Sequence, residues 1–406
     1  MKTFAEASPR QKLVVFLLAA IAFFVLPFVV QMAGNAWVRI IDIALLYVLL
    51  ALGLNIVVGY AGLLDLGYVA FYAVGAYMLG LLASPQLTDT FPAIAAAFPH
   101  GIHVGWWLVI PIGALVAGGA GVLLGAPTLK LRGDYLAIVT LGFGEIVRVF
   151  LNNLDAPVNI TNGPKGITGI DEIKIVGVSL GQTQDFFGLE WPKVTNYYFI
   201  LLILCVLAVL ICFRLERSRI GRAWMAIRED EVAAKSMGIN TRNLKLLAFG
   251  MGATFGGVSG VMFASFQGFI SPESFSLPES VMIVAMVVLG GIGHLPGVIV
   301  GALLLAALPE VLRYVAGPLQ AMTDGRLDAS ILRQLLIALA MIGIMLSRPR
   351  GLWPSPEHGK VGARPPAPQS TATPGAIDGE LPTAVHAHLT AARQIPPAAT
   401  HIAPSE

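Results

Sequence analysis

The sequence has 406 residues, of which 56% are hydrophobic and only 12% are charged, and its mean hydropathy is +0.76. A soluble domain carries about 25% charged residues, so this composition excludes an ordinary soluble fold and indicates a chain that lies largely in a bilayer. The net charge of +2 is too small to indicate a nucleic-acid partner. We therefore predict an all-α polytopic membrane protein that is surrounded by lipid and binds no nucleic acid.

A helix that crosses the hydrocarbon core needs about 20 mostly apolar residues. Ten apolar segments meet or approach this length, and we predict one helix in each: 13–33, 40–59, 62–83, 105–126, 135–154, 196–213, 246–268, 280–292, 295–316 and 329–347. The eighth segment is short and ends at Gly290-Gly291-Ile292-Gly293, which favours a break. It is either a re-entrant half-helix or a full span.

The lysines and arginines of the connections fall mainly on one side of the predicted bundle. Eight of them lie in 214–245, on the same side as the N-terminus. The positive-inside rule makes that side cytoplasmic, so both termini are predicted to be cytoplasmic and the connection 155–195 periplasmic. Residues 1–12 then form a cytoplasmic N-terminus and 13–353 the membrane domain, while the proline- and alanine-rich tail 354–406 is predicted to be disordered and cytoplasmic.

Small residues recur every four positions in several predicted spans. Such stripes let helix backbones approach closely in a membrane, so they predict a tightly packed bundle without saying which helices meet. The stripes are Gly113, Ala117, Gly121 and Gly125 in the fourth span, Gly252, Gly256, Gly260 and Ala264 in the seventh, and Gly297 and Gly301 in the ninth.

The fifth span carries the most polar groups, at Thr140, Glu145, Arg148 and Asn152. Glu145 lies ten residues from the cytoplasmic end, about 15 Å deep, and Arg148 follows on the same helix face, so the two side chains are predicted to pair. Charges at this depth mark either a translocation path or a charge-neutral clasp between helices. Both interpretations remain open for these four candidate residues. Asp65, at the start of the third span, is predicted to cap that helix.

The segment 214–245 is a charged connection between the sixth and seventh spans. Good helix formers fill it between Gly221 and Gly238, and Gly238 is placed to cap the helix end. We predict a short helix that docks in a groove of a soluble protein on the cytoplasmic side. The candidate docking residues are Gly221, Arg222, Trp224, Ile227, Arg228, Glu229, Asp230, Glu231, Ala233, Ala234 and Gly238.

No motif in the chain indicates catalysis or a bound cofactor. It lacks the Gly-x-x-x-x-Gly-Lys-Ser/Thr loop that cradles phosphates, and no catalytic triad or metal-ligand cluster stands out. We therefore expect a chain that is not an enzyme, binds no cofactor or metal, and depends on another chain if a nucleotide powers it.

The chain contains five distinctive stretches, at 59–71, 131–148, 221–231, 268–275 and 288–293. Together they resemble the permease subunit of branched-chain amino acid ABC importers of the LivM type, over about residues 40 to 354. The resemblance implies a subunit of the bacterial inner membrane that pairs with a second permease of the LivH type. It also implies two ATP-binding subunits that carry ATP and Mg²⁺, and a periplasmic binding protein that delivers leucine, isoleucine or valine.

The chain departs from the coupling motif of importer permeases, in which Glu-Ala-Ala is followed three residues later by Gly. Ala233, Ala234 and Gly238 keep the later part of that motif, but Val232 stands at the glutamate position. Asp65 occupies a position where relatives often carry a small or apolar residue.

Two alternatives to a branched-chain amino acid importer stay open from the sequence. One is the urea- or amide-importing branch of the same superfamily, and the other is an ion-coupled secondary carrier that uses Glu145 as its ion site.

Overall fold

The computed structural model describes residues 9–98, 102–129, 131, 133–175, 178–186, 189–322, 329–347 and 351–353. The chain divides into two units, Met1–Pro356 and Glu357–Glu406, and the described residues all belong to the first. The predicted disordered tail 354–406 and the first eight residues of the predicted N-terminal segment therefore lie outside the described residues. The described part is mostly helical.

Each of the ten predicted spans overlaps a helix. Among the described residues, six elements are long and apolar enough to cross a membrane by length and composition: Asn35–Tyr60, Trp106–Thr128, Lys193–Glu216, Thr241–Gln267, Pro272–Gly290 and Leu295–Leu312. The helices in chain order are α1 (Pro9–Gln31), α2 (Asn35–Asn55), α3 (Val69–Leu82), α4 (Gln86–Thr90), α5 (Pro92–Ala97), α6 (Trp106–Thr128), α7 (Asp134–Asn152), α8 (Lys193–Glu216), α9 (Arg219–Glu229), α10 (Glu231–Ser236), α11 (Thr241–Gln267), α12 (Leu277–Gly290), α13 (Leu295–Met322) and α14 (Ala329–Ser347).

The glycine stripes bring α11 into close contact with α3 and α6 inside the subunit. A Cβ atom at Gly257 would lie 2.6 Å from the carbonyl oxygen of Gly113, and one at Gly260 would lie 2.1 Å from that of Tyr72. Helix backbones can approach this closely only where no side chain intervenes. The sequence left the orientation of the stripes open, and the structure shows that the described ones face neighbouring helices of the same chain.

The third helix begins later than predicted. α3 starts at Val69, and the preceding residues from Gly62 to Tyr68 form an irregular, partly buried segment. Its backbone is held by side chains, because Thr140 Oγ1 accepts from Leu66 N at 3.0 Å and Asp65 Oδ1 accepts from Gly67 N at 2.9 Å. The prediction that Asp65 caps a helix is therefore wrong, since its carboxylate closes a local turn four residues before α3 begins.

Two further helices are interrupted close to this segment. α2 continues as a π-helix over Ile56–Tyr60, and α12 ends at Gly290, where the sequence predicted a break. Gly291 and Gly293 adopt φ angles of +119° and +79°, which are strained for residues with a side chain. α12 is 14 residues long and rises about 21 Å, and the 3₁₀ turn Pro272–Phe275 precedes it.

The predicted periplasmic connection 155–195 is an ordered loop where the structure describes it. It contains a 3₁₀ turn, Gly163–Lys165, and the strands β1 (Ile167–Thr168), β2 (Lys174–Ile175), β3 (Val178–Ser179), β4 (Gln184–Phe186) and β5 (Leu189–Trp191). β2 pairs with β3 and β4 with β5, whereas β1 pairs antiparallel with β6 (Phe269–Ile270). This last pairing fixes the loop to the segment between α11 and α12.

The close packing predicts opposite effects for two glycine substitutions. A Cβ atom at Gly75 would lie 2.1 Å from the carbonyl oxygen of Gly257, whereas nothing lies within 4 Å of one at Gly119. We expect Gly75→Ala to destabilise the purified protein by about 1–3 kcal/mol, because α3 and α11 must separate. Gly119→Ala should be neutral or slightly stabilising, since alanine favours helix. Thermal unfolding in detergent measures both, and equal midpoints for the two variants would contradict the packing.

The segment Gly351–Trp353 predicts where the chain tolerates truncation. Leu352 N donates to Leu289 O at 2.8 Å and Trp353 N to Gly290 O at 3.2 Å, which satisfies carbonyls at the end of α12. A stop after Trp353 should leave the thermal midpoint unchanged, whereas a stop after Ser347 should cost about 2 kcal/mol for two lost backbone bonds. Equal stability of the two truncated chains would show that these bonds contribute nothing.

Candidate functional site: the charged segment and the α7 ion pair

The charged segment forms two short helices rather than the single helix that the sequence predicts. α9 begins after Ser218, whose Oγ accepts from Gly221 N at 3.1 Å, so Gly221 lies inside the helix and does not mark its start. Asp230 has an extended backbone (φ −152°), and its Oδ1 accepts from Val232 N at 2.8 Å and Ala233 N at 3.0 Å. An aspartate that caps a new helix in this way interrupts the old one.

The predicted cap at Gly238 is confirmed. Gly238 follows the last turn of α10 with a φ of +83°, and Ile239 N donates to Ala234 O at 3.2 Å. This turn at a helix end requires the left-handed backbone that glycine adopts without strain.

One face of α9 and α10 is anchored to the rest of the chain. Trp224, Ile227 and Ala234 are buried, and Trp224 Nε1 donates to Leu244 O at 2.7 Å. Lys245 Nζ lies 2.7 Å from Glu231 Oε2. Because Leu244 and Lys245 lie in the first turns of α11, these contacts tie the segment to the start of that helix.

Arg228 also points into the chain. Its guanidinium donates to the carbonyl oxygen of Gly59 in the π-helix. Missing side chains make room for it, because a Cβ atom at Gly62 would lie 2.7 Å from Arg228 Cγ and one at Gly293 would lie 2.6 Å from Arg228 Nη1. Arg228 is therefore placed for a contact within its own chain.

The opposite face of the segment is exposed. Of the predicted docking residues, it carries Arg222, Glu229, Asp230, Ala233 and Gly238. It also carries Val232 and Met237, whose side chains are 65% and 83% exposed and which were not among the predicted residues. The burial of Trp224 and Ile227 shows which side of the segment is exposed. The sequence pattern fits either side and therefore does not decide this. The exposed face thus combines two large apolar side chains with acidic neighbours.

The ion pair predicted on α7 is present. Arg148 Nε donates to Glu145 Oε1 at 3.0 Å, and Arg148 Nη1 donates to Glu273 Oε1 at 2.9 Å. Glu273 comes from the 3₁₀ turn before α12 and was not predicted, because 125 residues separate it from Arg148. The arginine therefore bridges two carboxylates and leaves the cluster with one net negative charge.

The other two candidate residues of α7 do not join this cluster. Thr140 is buried on another face, where its hydroxyl accepts from Leu66 N. Asn152 is half-buried, and its Oδ1 has no hydrogen-bond partner among the described residues. The side chains of Glu145 and Arg148 are 41% and 24% exposed, beside the exposed apolar residues Ile146 and Phe150. The open face of α7 is thus apolar with a charged cluster in the C-terminal half of the helix.

Within the described part of the chain, no group of three or more histidine, cysteine, aspartate or glutamate side chains is placed to hold a metal ion. The candidate residues that are described lie instead on two exposed surfaces, one on α9 and α10 and one on α7.

Comparison with known proteins gives a family. The family model described as "Branched-chain amino acid transport system / permease component" matches residues 37–345. The chain is 41% identical over 360 residues to the high-affinity branched-chain amino acid transport system permease protein LivM of Escherichia coli K12, which covers 85% of this chain and 75% of that protein.

Weaker similarity extends to two further permease proteins. The identity is 27% over 319 residues to LivH of Escherichia coli K12, covering 78% of this chain and 93% of LivH. It is 26% over 329 residues to the probable LivM of Methanocaldococcus jannaschii, covering 76% and 90%. No solved structure matches the chain significantly. The extent of the family match and the identity to LivM establish that the chain belongs to the family of permease components of branched-chain amino acid transport systems.

Proposed function

We propose that this chain is the membrane-spanning permease subunit of an ABC importer that moves leucine, isoleucine or valine into the cytoplasm, powered by ATPase subunits on separate chains. The observation that carries the proposal is the family match over residues 37–345. The charged segment 214–245, one face of which is exposed, supports it. The relatives are named as branched-chain amino acid permease proteins, which does not favour a urea importer or an ion-coupled carrier.

The proposed assembly contains a second, LivH-type permease, two ATP-binding subunits that hold ATP and Mg²⁺, and a periplasmic binding protein. The ten helices that overlap the predicted spans would then lie in the bacterial inner membrane, with α12 as either a full span or a re-entrant half-helix, and with both termini and the segment 214–245 in the cytoplasm. The uneven distribution of lysine and arginine supports this orientation. Similarity to both LivM and LivH supports a pair of related permeases.

The exposed face of α9 and α10 is the proposed binding surface for an ATPase subunit. Val232 and Met237 are among the most exposed large apolar side chains of the chain, and they lie beside Glu229 and Asp230. Short helices with an apolar ridge and polar neighbours bind in grooves of partner proteins. Movement of this face would be transmitted to α11 through the contacts of Trp224 and Glu231. α11 in turn packs along both α3 and α6.

We propose that the open face of α7 contacts the second permease and lines one side of the translocation path. Glu145 and Arg148 are partly exposed in a helix that the proposed topology places across the membrane. A charge in contact with lipid costs at least about 2.5 kcal/mol, so protein or water must cover this face. A second permease there would enclose a path between the two subunits, lined by Leu141, Ile146 and the charged cluster.

Docking of the ATPase subunit is tested by comparing lysine substitutions at two exposed valines. We expect Val232→Lys to weaken co-purification of the ATPase subunits about tenfold, because the lysine places an unpaired charge in an apolar contact. ATP-dependent leucine uptake in reconstituted vesicles should fall in parallel. Val158→Lys in the predicted periplasmic loop, where Val158 is 42% exposed, is the matched control and should change neither value. Unchanged ATPase binding in Val232→Lys would contradict the docking surface.

The role of the α7 cluster is tested by removing its charges one at a time. Arg148→Met should lower leucine uptake about tenfold or more, since it leaves the carboxylates of Glu145 and Glu273 without a counter-charge. Glu145→Gln keeps the ion pair between Arg148 and Glu273 and leaves no net charge, so a simple clasp predicts normal uptake. A path-lining role predicts normal stability with lowered uptake, which is the outcome we expect.

Two controls accompany this experiment. Asp89→Asn removes an exposed carboxylate outside the cluster and should leave leucine uptake unchanged. ATPase co-purification should be normal in both α7 variants, because Glu145 and Arg148 lie in the C-terminal half of α7, away from Asp134 and Leu136, which line a pocket with Ile227 and Arg228. Full uptake by Glu145→Gln would assign Glu145 and Arg148 to the clasp.

A further inference from the structure

Two interruptions of membrane helices meet at one side chain of the charged segment. The first is the π-helix Ile56–Tyr60 that extends α2, and the second is the turn Gly291–Gly293 between α12 and α13. Arg228 lies against both. Residues that are 169 positions apart, Gly59 and Arg228, are thereby joined directly.

The contact with the first interruption is a charge-assisted hydrogen bond. The guanidinium of Arg228 donates to the carbonyl oxygen of Gly59, in the middle of the π-helix. A π-helix changes the backbone pattern, and here Ala61 N bonds to Ile56 O at 3.2 Å, five residues back. An ionised donor makes such a bond stronger than one between neutral groups.

The second interruption is tied to the first and to the same arginine. Gly293 N donates to Asn55 Oδ1 at 3.0 Å, which links the turn after α12 to the last residue of α2. The turn reaches the guanidinium only because Gly293 has no side chain, since a Cβ atom there would lie 2.6 Å from Arg228 Nη1. Asn55 is fully buried, so the junction lies inside the protein.

Helix interruptions are where a bundle can change shape. Helices bend at π-helical turns and at glycines, and motions concentrate at the few residues that absorb changes in φ and ψ. α2 lies at the centre of the bundle and contacts α8, α11, α12 and α13. A change at the junction therefore reaches more helices than the hydrogen bond of Trp224 and the ion pair of Glu231, both of which are made to α11.

We infer that Arg228 is a positioning residue that passes movement of the charged segment to the interruptions of α2 and α12, rather than a contact to the ATPase. The inference rests on the proposed function, because it presumes an ATPase that moves this segment. The arginine acts through the Gly59 carbonyl and the Gly293 turn, and the exposed face of α10 provides docking. Loss of Arg228 should therefore separate ATP hydrolysis from transport.

The experiment compares variants of the complete reconstituted importer with leucine as the probe. For each variant, the ATPase subunits that co-purify, the ATP hydrolysed and the leucine taken up are measured. In Arg228→Met the leucine moved per ATP hydrolysed should fall about fivefold or more, with ATPase co-purification retained. Arg228→Lys keeps the charge and one donor and should give an intermediate ratio.

A second variant disturbs the junction without changing Arg228. Gly293→Ala places a methyl group against the guanidinium and should lower the same ratio. Gly268→Ala is its matched control, because Gly268 also has a positive φ (+70°) but nothing lies within 4 Å of its Cβ position. The control should keep the wild-type ratio, so that backbone strain alone does not explain the loss.

The outcomes separate this inference from the proposed function. A wild-type chain that binds no ATPase subunit, or takes up leucine without ATP, would contradict the proposed function itself. A wild-type importer whose Arg228→Met variant keeps the normal ratio would overturn only the inference. Loss of ATPase co-purification in both Arg228→Met and Gly293→Ala would also overturn it, since Arg228 would then support docking.

Discussion

Backbone groups freed by interrupted helices must find partners inside the protein, because a hydrocarbon core offers none. The region around Gly62–Tyr68, the π-helix of α2 and the turn after α12 all depend on this constraint. Their partners are side chains of distant helices: Thr140 for Leu66 N, Ser280 for Leu66 O, Asn55 for Gly293 N and Arg228 for Gly59 O. The irregular segments are thus the points at which otherwise separate helices are joined by specific hydrogen bonds.

The glycine contacts supply the complementary property, which is close packing of the helices between those points. α11 carries small residues on two faces, so that one face meets α3 and the other meets α6 with little space between the backbones. Tightly packed helices move as a unit, and bonded but irregular segments can bend. A permease that alternates between two open states needs both properties, and the charged segment contacts both: α11 through Trp224, and the interruptions through Arg228.

The charged segment therefore has two different faces. Its inner face is buried and held by the hydrogen bonds of Trp224 and Arg228, and its outer face exposes Val232 and Met237. In the proposed assembly, these exposed side chains give the docking contact an apolar character. On the other subunit surface, the cluster of Glu145, Arg148 and Glu273 gives the open face of α7 its only described ion pairs.

The sequence by itself determined which long apolar segments contain helices, because a long apolar run is recognised without reference to distant residues. It also determined the Glu145–Arg148 pair and the Gly238 cap, since both depend on neighbours within one or two helical turns. The split of the charged segment at Asp230 is local, since its carboxylate accepts from Val232 N and Ala233 N. Only the tertiary structure decided that α3 begins at Val69 and that Arg148 reaches Glu273, because both outcomes depend on contacts between residues far apart in the chain. The Arg228–Gly59 bond is the clearest case, because neither residue's local pattern reveals that two helix interruptions lie at the same place in the fold.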